Sequence, residues 1–85
     1  MASWKIVMDE SAFQFFVSSR AAERRKLLSA FDELRADPQR QADYHTKDPT
    51  GRVLSVWGNR PFLIVYWLDA FVSEIRILDI QRVRF

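Results

Sequence analysis

Cysteine is absent from this sequence, histidine occurs once and glycine only twice. Without a thiol, neither a disulfide nor a thiolate metal site can hold the fold. A single histidine leaves no set of imidazoles from which to build a zinc site. The two glycines, Gly51 and Gly58, stand in turn contexts, so there is no glycine-rich phosphate loop. No apolar run approaches the roughly 20 residues that span a bilayer. The opening Met1-Ala2-Ser3-Trp4-Lys5 lacks the long apolar segment of a signal peptide, and the cytoplasm is the expected compartment. Charge of one sign is also scarce. A net +2 does not by itself imply a nucleic-acid partner.

What is present is a well-stocked core. The 85 residues are 48% hydrophobic and 28% charged, which suits one soluble domain over residues 1–85. The second half carries three strand-like runs. Arg52 to Trp57 is closed by Gly58-Asn59, Phe62 to Leu68 by Asp69-Ala70, and Val72 to Ile80 follows. β-branched and aromatic residues fit a pleated surface, and Gly, Asn and Asp supply the turns. Trp4, Ile6 and Met8 alternate as in a half-buried first strand. Asp9 or Ser11 can cap a helix whose stripe is Phe13, Phe16, Val17 and Arg20, with Phe15 off it. A second helix, about 21–35, presents Arg24, Leu27, Leu28, Phe31 and Leu34 and stops at Asp37-Pro38. Residues 44–47 are compatible with a further short strand before the turn Asp48-Pro49-Thr50-Gly51.

Neither helix can bury its stripe alone, so the expected fold is α+β. It is a two-layer sandwich in the order β-α-α-β-β-β, with a helical hairpin on one face of a mainly antiparallel four-stranded sheet. The doubly apolar run from Phe62 is the central strand. A two-residue loop at Asp69-Ala70 sets Ile64 opposite Ile75. Phe62, Ile64, Ile75 and Ile77 then lie under the helices, with Leu63, Val65, Trp67, Glu74 and Arg76 on the open face.

Two sets of residues could carry chemistry. His45 has the titration range of a general base, although a lone histidine in a polar loop is more often plain surface. The open face has a cationic border of Lys47, Arg52, Arg76, Arg82 and Arg84, with Trp67 among them. Arginines clamp phosphates and an aromatic ring stacks a base, a combination that suits RNA. In a metal-free ribonuclease such cations stabilise charge on the scissile phosphate. The expected catalytic residues are therefore Arg76, Arg82 and Lys47, with Arg52, Trp67 and Arg84 binding RNA, and no cofactor is expected. The bland alternative pairs Arg76 with Glu74 or Asp79. Leu63, Val65 and Trp67 would then form an apolar patch for a protein partner or a second copy of the chain. Arg24-Arg25-Lys26, with Arg20 close by, makes a second basic cluster.

In order and spacing the chain resembles the RelE/ParE superfamily of toxins from bacterial type II toxin–antitoxin systems. The resemblance rests on Trp4-Lys5-Ile6-Val7, the helix ending Phe31-Asp32-Glu33-Leu34-Arg35-Ala36-Asp37-Pro38 and the segment Lys47-Asp48-Pro49-Thr50-Gly51-Arg52. It also rests on Phe62-Leu63-Ile64-Val65-Tyr66 and on Ile75-Arg76-Ile77-Leu78-Asp79-Ile80. The resemblance implies a cytoplasmic toxin neutralised by a cognate antitoxin. RelE-like members cut mRNA on the ribosome without a metal, whereas ParE-like members poison DNA gyrase. RelE-like enzymes carry an arginine where this chain has Leu63, and a basic pair after the last strand that Arg82 and Arg84 match. A non-catalytic interaction module on the same fold is the alternative.

Overall fold

The computed structural model describes residues 3–83. Its elements are β1 (Lys5–Met8), α1 (Glu10–Ser18), α2 (Ala21–Ala36), β2 (Tyr44–Lys47), β3 (Val53–Asn59), β4 (Phe62–Asp69) and β5 (Glu74–Arg82). The sheet has five strands in the order β1-β5-β4-β3-β2. The strand beyond the expected four is Tyr44–Lys47, which pairs antiparallel with β3 at the sheet edge. β1 lies parallel to β5, as a crossover through two helices permits. Both helices pack on one face over a single core of Ala12, Leu27, Ala30, Phe31, Leu34, Trp57, Phe62, Ile64, Tyr66, Ile75, Ile77 and Ile80. Among the described residues no helix is long and apolar enough to cross a membrane.

Three local features differ from the sequence expectation. The β3–β4 turn is Arg60-Pro61, joined by a cis peptide, because Gly58 and Asn59 continue the ladder opposite Leu63 and Phe62. A Cβ at Gly58 would lie 3.1 Å from the Asp43 carboxylate, close enough that the Asp43 side chain would have to shift slightly. The face of α1 is turned by about one residue, or about 100°. Ala12 is fully buried and Phe15 meets the Phe62 ring edge-on at 5.9 Å, while Phe13 and Val17 are exposed. Asp9 is the helix-capping residue by position, but its side chain makes no capping bond, and the Ser11 hydroxyl donates to Asp79 at 2.9 Å instead.

The third difference has the largest consequence. The β4–β5 loop is four residues, Ala70 to Ser73, so Leu68 rather than Ile64 stands opposite Ile75. That slip is even, so the faces stay as expected as far as Ile77. A β-bulge then intervenes. Tyr66 pairs with Ile77 and Val65 with Asp79, leaving Leu78 as an extra residue on β5. One extra residue reverses the parity of everything after it. Ile80 therefore turns under the helices, where it is 2% exposed, and Arg82 follows it.

Candidate functional site

The bulge divides the expected cation set between two faces. Arg76 stands opposite Trp67 on the open face. One of its terminal nitrogens donates to Glu74 at 2.9 Å, and its Nε lies 4.0 Å from Asp69. Its guanidinium carbon is 5.9 Å from the Trp67 ring centroid, and that of Arg52 is 4.1 Å away. Trp67 is half-buried and already engaged by two cations, so its ring is not an open platform for a base. Arg52 is positioned by the preceding turn. Oδ1 of Asp48 accepts the backbone N–H groups of Thr50 and Arg52, each at 2.9 Å, and the Thr50 hydroxyl at 2.6 Å. Gly51 provides the left-handed φ of 87° that closes this turn. The Thr50 hydroxyl above all, with the backbone donors, holds the Asp48 carboxyl below its ordinary value.

Arg82 lies on the other face. It stands opposite Phe62, and its guanidinium carbon is 5.1 Å from the Phe15 ring centroid. Its Nε and one terminal nitrogen reach Oε2 of Glu23 at 2.9 and 2.8 Å. The other oxygen of Glu23 accepts the Arg20 backbone N–H at 3.2 Å, within the first turn of α2. That backbone bond is the main cause of Glu23's lowered pKa, and the Arg82 pair adds to it. Lys47 is exposed on β2, opposite Val53, at the far end of the strands from Arg82. At a strand rise of about 3.3 Å, that separation is about 20 Å along the strands alone. Arg84 lies outside the described residues. Arg76, Arg82 and Lys47 therefore do not border one concave surface as the sequence suggested, because the Leu78 bulge turns Arg82 through the sheet. Arg52, Trp67 and Arg76 do come together. His45 is exposed on the β2 edge opposite Ser55, and Leu63 sits on the open face between Gly58 and Gln81.

Two features escaped sequence reasoning. Arg40, in the loop after α2, lies with its guanidinium carbon 4.4 Å from the Trp57 ring centroid and pairs with Glu33 at 3.8 Å. Beside it Tyr66 is 1% exposed, and burial pushes its hydroxyl pKa up, against the opposing influence of Arg40 and a Ser55 hydrogen bond. The second feature is a cleft of about 570 Å³ lined by Ser18, Arg20, Ala22, Glu23 and Arg82. The basic cluster at the start of α2 was legible, but its meeting with Arg82 depends on the bulge, which no residue type announces. Among the described residues no three His, Cys, Asp or Glu side chains are grouped so as to hold a metal ion.

No protein-family model matches the chain, and no curated protein sequence matches it. Its fold does match a solved structure, that of the archaeal RelE–RelB complex from Pyrococcus horikoshii OT3. The match has a TM-score of 0.72 at 15% sequence identity and covers 95% of this chain and 96% of that one. The chain thus has the RelE-like fold.

Proposed function

We propose that the chain is the toxin of a type II toxin–antitoxin pair, acting on translation as a metal-independent, ribosome-dependent mRNA endonuclease. The observation that carries this reading is the end-to-end likeness to a chain of the RelE–RelB complex, in which almost nothing of either chain is left over. The chemistry asked of the protein is modest. A positioned guanidinium holds the scissile phosphate and stabilises the charge that builds there while the 2′-oxygen attacks phosphorus and gives its proton to water, and the 5′-oxygen leaves and takes a proton from water, so that a 2′,3′-cyclic phosphate remains. Arg82 is the cation we assign to that task, with Arg84 two residues further along the sequence. Arg52, Trp67 and Arg76, with the half-buried Leu63 and Val65, form the face we assign to the antitoxin. A cytoplasmic location follows from such a target.

A second reading has its own support. Arg76 is already bound to Glu74 and Asp69, and position 63 is leucine where RelE-like enzymes carry arginine. A leucine cannot replace a phosphate-clamping cation. Both facts favour a non-catalytic interaction module that kept the fold, and fold alone does not fix function. A gyrase-directed toxin or a homo-oligomer through the open face has no such observation behind it. Purified protein added to programmed ribosomes with excess EDTA decides between the first two readings. Discrete mRNA cuts that need the ribosome support the nuclease, and intact mRNA with unimpaired translation supports the module.

A further inference from the structure

The sheet ends in two edges of unlike character, β1 and β2. β1 is mostly half-buried, and the helices make their main strand contacts with it and with β5. All four residues of β2 are exposed. The Asp48 N–H bonds to the Arg52 carbonyl at 3.0 Å, in line with the ladder of β2 on β3. Bonded residues alternate along an antiparallel strand, so Thr46 also faces β3, and His45 and Lys47 turn their N–H and C=O groups away from it. β2 ends the sheet, so no strand stands across from these groups. Of the usual guards of an exposed edge, β2 has no proline and one lysine.

We propose that this edge pairs with the same edge of a second copy of the chain, antiparallel and centred on His45. The sequence from Asp43 to Lys47 complements itself in that register. His45 meets its own equivalent, Tyr44 meets Thr46 of the second copy, and Lys47 meets the second copy's Asp43. A slip of two residues in either direction keeps the hydrogen-bonding parity but parts Lys47 from Asp43. Asp43 has an oxygen to offer: its Oδ2 accepts the Gly58 N–H, and no bond engages its Oδ1 among the described residues. Main-chain bonds supply the affinity of such a pairing, and opposite charges across it fix the register. A foreign strand would gain its specificity from pockets for alternate side chains, whereas β2 offers exposed polar groups. Opposite residues of an antiparallel pair share a face, so two five-stranded sheets merge into one with both helical layers on the same side. Arg52, Trp67 and Arg76 stay uncovered on the other side. The dimer therefore forms through the sheet edge, not the open face, and does not rest on the nuclease reading.

A four-residue edge buries little area and gives a weak, transient dimer, so sedimentation velocity of the full chain should run from roughly 10 μM to 1 mM. The wild type should shift from monomer to dimer across that range. In ¹⁵N-labelled protein the amide signals of His45 and Lys47 should move with concentration. His45→Pro removes an N–H that β3 does not use, which a strand edge tolerates, and should abolish the dimer. Lys47→Glu sets an acid opposite Asp43 of the second copy and should weaken the dimer several-fold or more, without relying on the proline variant. Lys5→Glu makes the same charge change on exposed β1 at the other edge and should leave the dimer intact. Melting curves of each variant exclude loss of fold. A chain that stays monomeric to the highest concentration overturns the proposal and leaves the edge to a strand of another protein. A dimer indifferent to Lys47→Glu, or one whose concentration-dependent shifts fall on Leu63, Val65 and Trp67, overturns it as well.

Discussion

Arg82 shows how little of a side chain's role is set by its own identity. As an arginine near the end of β5 it was expected beside Arg76, and one unpaired residue upstream puts it against Glu23 and Phe15 instead. If it clamps the scissile phosphate, Arg82→Ala should raise the barrier by about 2.7–4 kcal/mol. That is a loss of 10²- to 10³-fold in single-turnover cleavage. The melting temperature should stay nearly unchanged, since the pair with Glu23 is exposed. Phe31 makes the opposite prediction. It is 2% exposed in the core and packs against Phe16 at 6.4 Å, so Phe31→Ala should cost about 3–5 kcal/mol in urea unfolding. Asp48 gives a prediction in pH. Its carboxyl is more acidic in the fold than in the unfolded chain, so its contribution is complete above the unfolded value of about 4. It is lost as pH falls through the lower folded value. The stability difference between wild type and Asp48→Asn should therefore be largest near neutrality and shrink on acidification below that value.

At the scale of elements, the sequence was readable wherever a periodic pattern had many members. β4 declared itself by apolar residues on both parities, and α2 by Leu27, Phe31 and Leu34 followed by Asp37-Pro38. The face of α1 was misread because its most buried member is Ala12, too small to outweigh three phenylalanines in a nine-residue helix. Ser19, between the two helices, is buried and its hydroxyl donates to the Phe15 carbonyl at 2.7 Å. The open-face trio of Arg52, Trp67 and Arg76 was legible because it lies before the bulge, and Arg82 was not because it lies after. That contrast can be tested directly. Deleting Leu78 removes the extra residue, so strict alternation should return with Asp79 still opposite Val65 and Ile80 still under the helices. The shortened variant should unfold cooperatively and keep Arg82 beside Glu23. Non-cooperative unfolding of the deletion, with Leu78→Ala still cooperative, would mean that the register after the bulge rests on more than one extra residue.

The molecule as a whole is a RelE-like fold with one cationic corner and one open sheet face, to which the nuclease and antitoxin roles are proposed. The order of elements carried the fold at a sequence identity of 15%. It did not carry the site, because the arginine expected at position 63 is absent and the remaining cations are divided by the sheet. Toxicity is the property that separates the nuclease from a module that merely kept the architecture. The most direct measurement is tightly controlled induction of the wild-type chain in a bacterial host, beside Arg82→Ala expressed to the same level, with growth and protein synthesis followed in time. Rapid arrest of growth and of amino-acid incorporation is expected for the wild type and neither for the variant. Normal growth of cells that accumulate folded wild-type protein would contradict it.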